Sequence, residues 1–288
     1  ARFDEESNIN WANRLKEEGV KVIFGVPGLK VHSKLCLVSR AEKGGLSHYA
    51  IIGTGNFNED TARLYTDHAI FTADQRLTRE VNKIFNFFVK TYRSDTFKHL
   101  VVSPNFMRKR ITRLINKEIK NAAAGKPAYI FLKLNGLTDP QMIQKLYEAS
   151  EAGVQIRLII RGMFSLIPGI EGMSSNIEAI SIVDKFLEHT RIYIFCNDSD
   201  EIFYISSADW MPRNIDHRIE VTCPVYDADI KNELRTYMEI QWEDNVRARI
   251  LDEQLDNRFR KDRSRKKTRT QWQTYEFLKK YHTIPDNK

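Results

Sequence analysis

The chain has 288 residues, 42% apolar and 29% charged, which suits a globular protein of two ordinary domains and excludes a largely disordered polymer. Forty-five Lys and Arg against 38 Asp and Glu give a formal charge of +7 and a pI near 9.2, a balance that favours a polyanionic ligand: nucleic acid, nucleotide, polyphosphate or an anionic membrane. No apolar run reaches the roughly 18 to 20 residues of a spanning helix, and Cys36, Cys196 and Cys223, in expected strands without C-x-x-C spacing, suggest neither a disulfide framework nor a zinc site and fit a reducing cytoplasm.

In chain order, the sequence opens at Ala1-Arg2-Phe3 without Met, as a fragment of a longer protein would, and helix NWANRLKEEG leads to strand VKVIFG. His32-Ser33-Lys34 then precedes strand KLCLV, a hairpin forms at EKGGLS, and strand YAII runs into Gly53-Thr54-Gly55-Asn56, with Asp67 eleven residues past Asn56. Leu77, Val81, Ile84, Phe85 and Phe88 fall at offsets 0, 4, 7, 8 and 11, the stripe of a helix packed on a sheet. TYRSDTFKHLVV reads as a connection, so the boundary falls near residue 100, giving halves 1–100 and 101–288.

The second half is expected to start with Ser103 as N-cap and Pro104 at the first helical position, followed by helix RKRITRLINKEIKNAAAG, which Gly125 ends. Strand AYIFLKLN, a helix from Asp139-Pro140 and strand VQIRLIIRG follow. Residues 162–176, GMFSLIPGIEGMSSN, form an inserted loop rich in Gly, Ser and Pro. His189-Thr190-Arg191 then precedes strand RIYIF, strand EIFYI runs into Ser206-Ser207-Ala208-Asp209, and Glu220 lies eleven residues past Asp209. The end, from Arg258 on, is basic and helical, and reads as a solvated charged face.

The two halves therefore repeat one pattern: helix, strand, loop, His-bearing strand, strand, acid-bearing strand. His32 to Asp67 spans 35 residues and His189 to Glu220 spans 31, and the first hairpin absorbs the excess. Two copies imply paired halves meeting across a shared site. The fold expected is α/β, two α/β/α halves, each a mixed sheet flanked by helices, with the active site between them and the first half truncated at its N-terminus.

Alternation places His32 and Lys34 on one strand face. An imidazole nucleophile beside a fixed cation suits phosphate esters, since the nitrogen attacks phosphorus while the ammonium holds a non-bridging oxygen. Arg191 takes the lysine's place in the second copy and can grip phosphate through two donors. Asn56 and the glycine turn before it add donors. Taken singly, each histidine, turn or acid is an ordinary structural residue; the four in register, twice, are what points to chemistry. His48, His68, His99, His217 and His282 lack that context and read as structural.

The pattern resembles the phospholipase D superfamily, whose halves carry H-x-K, then G-S-x-N and a later acid. Position 39 is Ser where that family has Asp, Arg191 replaces Lys, and the second turn reads SSAD. Longer strings, KVHSKLCLVSR, GTGNFNEDTARLYTDHAIFTAD, IIRGMFSLIPGIEG, NIEAISIVDKFLEHTRIYIF and YISSADWMPRNIDHRIEV, resemble the C-terminal catalytic half of the bacterial polyphosphate kinase family over nearly the whole chain.

That resemblance implies a phosphotransferase that moves the terminal phosphoryl of ATP reversibly to polyphosphate through a phosphohistidine. His32 in VHSKL matches the phosphorylated position, and His189 in FLEHTR matches a second essential histidine that acts as acid or base or binds nucleotide. Tyr65 in ARLYTD and Arg161 in IIRGM match ATP-contacting positions. Arg2 in ARFDE matches an arginine of a magnesium-phosphate site; a guanidinium has no lone pair to give, so Arg2 is expected to touch Mg²⁺-bound phosphates. Lys34, Arg161, Arg191 and Mg²⁺ are candidates for neutralising the transferring group. Asp67 and Glu220 are candidates for orienting the opposite half's histidine.

ATP, ADP and polyphosphate are the expected partners, with no nucleic acid. The family's homo-oligomeric full-length form, cytoplasmic placement and peripheral membrane association are further implications. The alternatives are a phospholipase D-like phosphodiesterase or nuclease with water as acceptor, and a non-catalytic polyanion-binding module.

Overall fold

A computed structural model describes residues 5–90, 96–261 and 266–282. The first half contains α1 (Glu5–Glu17), β1 (Lys30–Val31), β2 (Lys34–Glu42), β3 (Gly45–Gly53), α2 (Glu59–Leu64), β4 (Tyr65–Thr66), β5 (Ala69–Thr72) and α3 (Gln75–Val89). Strands β2, β3 and β5 form an antiparallel sheet in that order, and the β2–β3 hairpin keeps the register Lys34↔Gly53 through Glu42↔Gly45. Asp74 caps α3 by accepting from the Arg76 N–H, and Leu77, Val81 and Ile84 bury the expected stripe.

The second half contains β6 (Val101–Val102), α4 (Met107–Ala123), β7 (Tyr129–Leu134), α5 (Pro140–Glu151), β8 (Gln155–Ile160), β9 (Ile177–Ile182), β10 (Leu187–Glu188), β11 (Arg191–Phe195), β12 (Ile202–Ser206), α6 (Pro212–Asp216), β13 (Arg218–Ile219), β14 (Val221–Val225), α7 (Ala228–Trp242), β15 (Ala248–Leu251) and α8 (Thr270–Tyr281). Its mixed eight-stranded sheet runs β15-β9-β8-β7-β11-β12-β14-β6.

One face of this sheet packs on α4 and α5 through Met107, Ile111, Ile115, Met142 and Leu146 against Leu132, Leu158 and Tyr193. The other face meets α7 and, through α3, the small sheet: Phe131, Ile192 and Ile205 share a cluster with Met238, Trp242, Val81, Ile84 and Ile52. Each such side chain taken fully from water contributes about 1.5–3 kcal/mol, so α3 ties the halves together as well as its own sheet.

Three expectations need correction. Residues 20–25 form no strand; Val20, Ile23 and Phe24 are exposed, and only a single bridge, Val26 to Leu29, follows them. The corresponding strand of the second half, β8, is held between β7 and β9. Among the described residues no neighbour of that kind stands beside residues 20–25, and an unpaired strand leaves its peptide groups without a ladder.

Helix α4 begins behind Phe106, not at Ser103. The Ser103 hydroxyl is committed elsewhere, donating to the Arg218 carbonyl at 2.7 Å and accepting the Glu220 N–H at 2.9 Å. The basic end is docked rather than only solvated: Arg269 pairs with Asp184 at 2.6 Å, and Gln271 hydrogen-bonds Glu188. Part of the expected connection, residues 91–95, and part of the basic end, residues 262–265 and 283–288, lie outside the described residues. Among those described, no helix is long and apolar enough to cross a membrane.

Candidate active site

Two short parallel ladders stitch the halves together and place the repeated residues. β1 pairs with β13, so that the N–H groups of His32 and Ser33 both donate to the Ile219 carbonyl at 2.9 Å. β4 pairs with β10, and His189 and Thr190 donate in the same way to the Thr66 carbonyl at 3.1 and 3.0 Å. Each histidine therefore follows a strand of its own half that is hydrogen-bonded to the other half, beside the other half's acid.

The acids meet the histidines across this seam. His32 Nδ1 lies 2.9 Å from Glu220 Oε2, and His189 Nδ1 lies 2.9 and 3.0 Å from the two oxygens of Asp67. Each carboxylate is braced by the hydroxyl of its own turn: Thr54 donates to Asp67 at 2.6 Å and Ser207 to Glu220 at 2.5 Å, while Asn214 adds a third partner to Glu220 at 2.7 Å. Gly55 is required here, because a Cβ on it would fall 1.9 Å from Asp67 Oδ2.

The cations also repeat. Lys34 donates to the carbonyl of His32, and Arg191 donates to that of His189 at 2.8 Å. Their turn partners differ. Asn56 is exposed, whereas Asp209 is buried, pairs with Arg191 at 3.0 Å and accepts the N–H groups of Asn135 and Gly136. Arg191 Nη1 also reaches the Thr54 carbonyl at 3.2 Å and His189 Nε2 at 3.2 Å. Guanidinium can only donate, so His189 Nε2 accepts and its proton sits on Nδ1, facing Asp67.

His32 Nε2 has no hydrogen-bond partner among the described residues. With Nδ1–H held by Glu220, its lone pair is free; the His32 side chain is 22% exposed and that of Glu220 is 0% exposed.

Burial lowers the pKa of both histidines below the usual 6.5, with the neighbouring carboxylates only partly offsetting it. Lys34 is lowered to about 8, chiefly by burial and despite Glu220. Burial raises the pKa of Asp67, but the hydrogen bond and charge of His189, with Thr54 and Arg191, outweigh it and hold the carboxyl below its ordinary value.

Tyr65 lies against His189 with ring centroids 5.2 Å apart and the ring planes tilted by 55°. Arg161 is anchored through Nε by Asn135 at 2.8 Å and by the Glu188 carbonyl, leaving its Nη1 and Nη2 without a hydrogen-bond partner among the described residues. Gly162 lets this approach happen, since a Cβ there would lie 2.6 Å from the Asn135 carbonyl. Arg2 lies outside the described residues.

Beneath the site lie residues that sequence patterning missed. Glu188, just before His189, accepts from Lys133 at 2.9 Å, Gln271 at 2.8 Å, Gln241 at 3.0 Å, Thr66 at 3.1 Å and Tyr237 at 3.2 Å. Burial alone would raise its pKa, but Lys133 and these donors bring it down to about 2. His68, read as structural, is hydrogen-bonded to Thr190 at 2.6 Å, and its pKa is lowered to about 4, chiefly by desolvation and then by the charge of Lys133. Only its adjacency to Asp67 signalled this in the sequence.

Among the described residues no group of three or more His, Cys, Asp or Glu side chains is placed to hold a metal ion. Asp67 and Glu220 are each committed to a histidine.

The family model described as "Polyphosphate kinase C-terminal domain 2" matches residues 100–271, and "Polyphosphate kinase C-terminal domain 1" matches residues 1–94. The chain is 54% identical over 279 residues to a polyphosphate kinase of Vibrio vulnificus (strain YJ016), covering 97% of the chain and 40% of that protein. It is 52% identical to the polyphosphate kinase of Escherichia coli (strain K12), over 97% of the chain and 41% of the relative. The crystal structure of polyphosphate kinase from Porphyromonas gingivalis superposes with a TM-score of 0.90 at 39% identity, over 98% of the chain and 43% of that protein. The chain thus spans about 40% of the length of the curated relatives it matches.

Proposed function

The chain belongs to the polyphosphate kinase family, and from that premise we propose that it is a catalytic region moving the terminal phosphoryl of ATP reversibly to polyphosphate through a phosphohistidine on His32. The observation that carries this reading is the contrast between the two Nε2 atoms. That of His32 has no hydrogen-bond partner among the described residues, with Glu220 fixing the proton on Nδ1, while that of His189 is held by Arg191.

In the forward direction the His32 Nε2 lone pair attacks the γ-phosphorus, the bond to the β–γ bridging oxygen breaks, and ADP leaves with that electron pair. A terminal oxygen of polyphosphate then attacks the phosphohistidine and His32 regains its lone pair. Glu220 stabilises the positive charge that the ring gains on phosphorylation. Lys34 and the free fork of Arg161 bind non-bridging oxygens. Tyr65, against His189, supplies a ring surface for the nucleotide. His189 orients the nucleotide or exchanges a proton with the leaving or entering oxygen, and depression of the pKa of both imidazoles by burial keeps them neutral near pH 7.

Mg²⁺ fits as part of the substrate, bound to the phosphates of ATP, because Asp67 and Glu220 are already engaged and no cluster among the described residues is placed to hold it. Arg2 is assigned to the Mg²⁺-bound phosphates by the resemblance alone.

The test is labelling with γ-phosphate-labelled ATP and Mg²⁺, on this chain and on the protein at full natural length. Base-stable, acid-labile label that vanishes in His32→Ala is expected. An active protein that never carries such label would overturn the phosphohistidine and favour a phosphodiesterase-type reaction with water.

A further inference from the structure

A groove of about 960 Å³ lies away from the histidines along α4. It starts at Pro104 and Asp216 and runs past Asn105, Lys109, Arg113 and Lys120. A smaller hollow of about 180 Å³ on the other flank of the helix shares Lys109 and Arg113 and adds Lys98 and Arg110. Helix α4 carries six cations, Arg108, Lys109, Arg110, Arg113, Lys117 and Lys120, and one acid, Glu118, which is buried.

Among the described residues, Arg108 is the one of these in an ion pair, with Asp139 and Asp216. Lys109, Arg113, Lys117 and Lys120 are exposed and in no ion pair among the described residues. Some basic side chains elsewhere on the surface, Lys126, Arg157, Arg235 and Arg269, are paired with carboxylates, and what sets α4 apart is that its unpaired cations are crowded on one helix. Lys109, Arg113 and Lys117 also follow one another at i, i+4, where like charges repel and weaken the helix. A sequence that keeps this pattern without interleaved acids is suited to an external anion.

The position of the groove says which anion. Ser103, next to Pro104 at its mouth, holds the Glu220 N–H and the Arg218 carbonyl, and Glu220 holds His32. Arg218 is close enough to Lys34 to lower its pKa. Ser103 thus links the mouth of the groove to the backbone beside Arg218 and Glu220, and along α4 Lys109 to Lys120 spans roughly 16 Å at the helical rise. No aromatic side chain lines the larger groove, so nothing there would stack a base.

Resting on the kinase reading above, we infer that the basic groove along α4 is an exosite for the polyphosphate chain, holding the part already made while its end lies at His32. It would favour long acceptors over short ones, because only a chain of many phosphates can occupy the site and the groove together.

The test is the triple variant Lys109→Gln/Arg113→Gln/Lys117→Gln in the protein at full natural length. These side chains are exposed, so folding should persist, with thermal unfolding unchanged or raised. The KM for long-chain polyphosphate is expected to rise about tenfold and to lose part of its salt dependence, while KM for MgATP and for tripolyphosphate stays within about twofold. Direct binding of long-chain polyphosphate to the variant should weaken in parallel, which reads the exosite even if turnover fails. Equal effects on long and short acceptors, or no effect, would overturn it. So would single-stranded RNA of matched charge competing as well as polyphosphate does. Labelling of His32 by ATP in the same variant reports separately on the kinase reading.

Discussion

The two halves hold the same four-part device on very different supports. In the second half an eight-stranded sheet is covered on both faces, by α4 and α5 on one side and by α7 and α3 on the other. In the first half three strands are covered by α3 on one face, while Val38, Tyr49 and Phe71 are exposed on the other. The histidines are nevertheless placed alike, because the seam ladders β1–β13 and β4–β10 set their backbones from both halves at once. Local geometry at a duplicated site can therefore outlast a large difference in the surrounding core.

The difference that matters chemically is the partner of each cation. Lys34 has a neutral, exposed Asn56 on its turn and keeps its charge for the site, whereas Arg191 is paired with buried Asp209 and commits its donors to His189 and Thr54. On the function proposed above, one half would be the reactive one and the other a fixture. Two departures of the second motif from the phospholipase D pattern, Arg191 and Asp209, answer one another.

The sharpest break comes at the acid holding the reactive histidine. Glu220→Gln keeps the shape but removes the charge that supports a cationic ring, and is expected to lower phosphoryl-transfer turnover by about 100-fold or more. Steady-state assays with MgATP and polyphosphate check this; undiminished turnover would refute the role.

The same position in the two turns should respond unequally to truncation. Asp209→Ala leaves Arg191 buried and unpaired, an expected loss of about 3–5 kcal/mol in denaturant unfolding. Asn56→Ala, at an exposed site, should stay within about 0.5 kcal/mol. Comparable losses would mean that the halves are not differentiated in this way.

The mildest effect is on pH. His32 must be neutral to attack, and its lowered pKa puts the acid limb of kcat/KM below pH 6.5. Lys34 must be charged, so activity should fall as pH rises through about 8. Lys34→Arg, always protonated, should remove that alkaline limb while leaving the acid limb in place.

Much of this arrangement is legible in the amino-acid order. The matched offsets from turn to acid, eleven residues in each half, mark a duplication and single out His32, His189, Asp67 and Glu220 as residues to find together. What stays hidden depends on long-range contact. Residues 20–25 have strand composition but no neighbour to pair with among the described residues. Ser103-Pro104 has the composition of a helix start, yet the Ser103 hydroxyl serves Arg218 and Glu220, more than 100 positions away in sequence. The Glu188 cluster draws donors from four elements whose sequence spacing carries no common period.

The most direct measurement is peptide mapping with phosphorus NMR of the protein trapped after exposure to MgATP without acceptor. The phosphoryl group is predicted on Nε2 of His32 and absent from His189. Phosphate on His189, or on Nδ1 of His32, would contradict the assignment of one reactive and one fixed histidine.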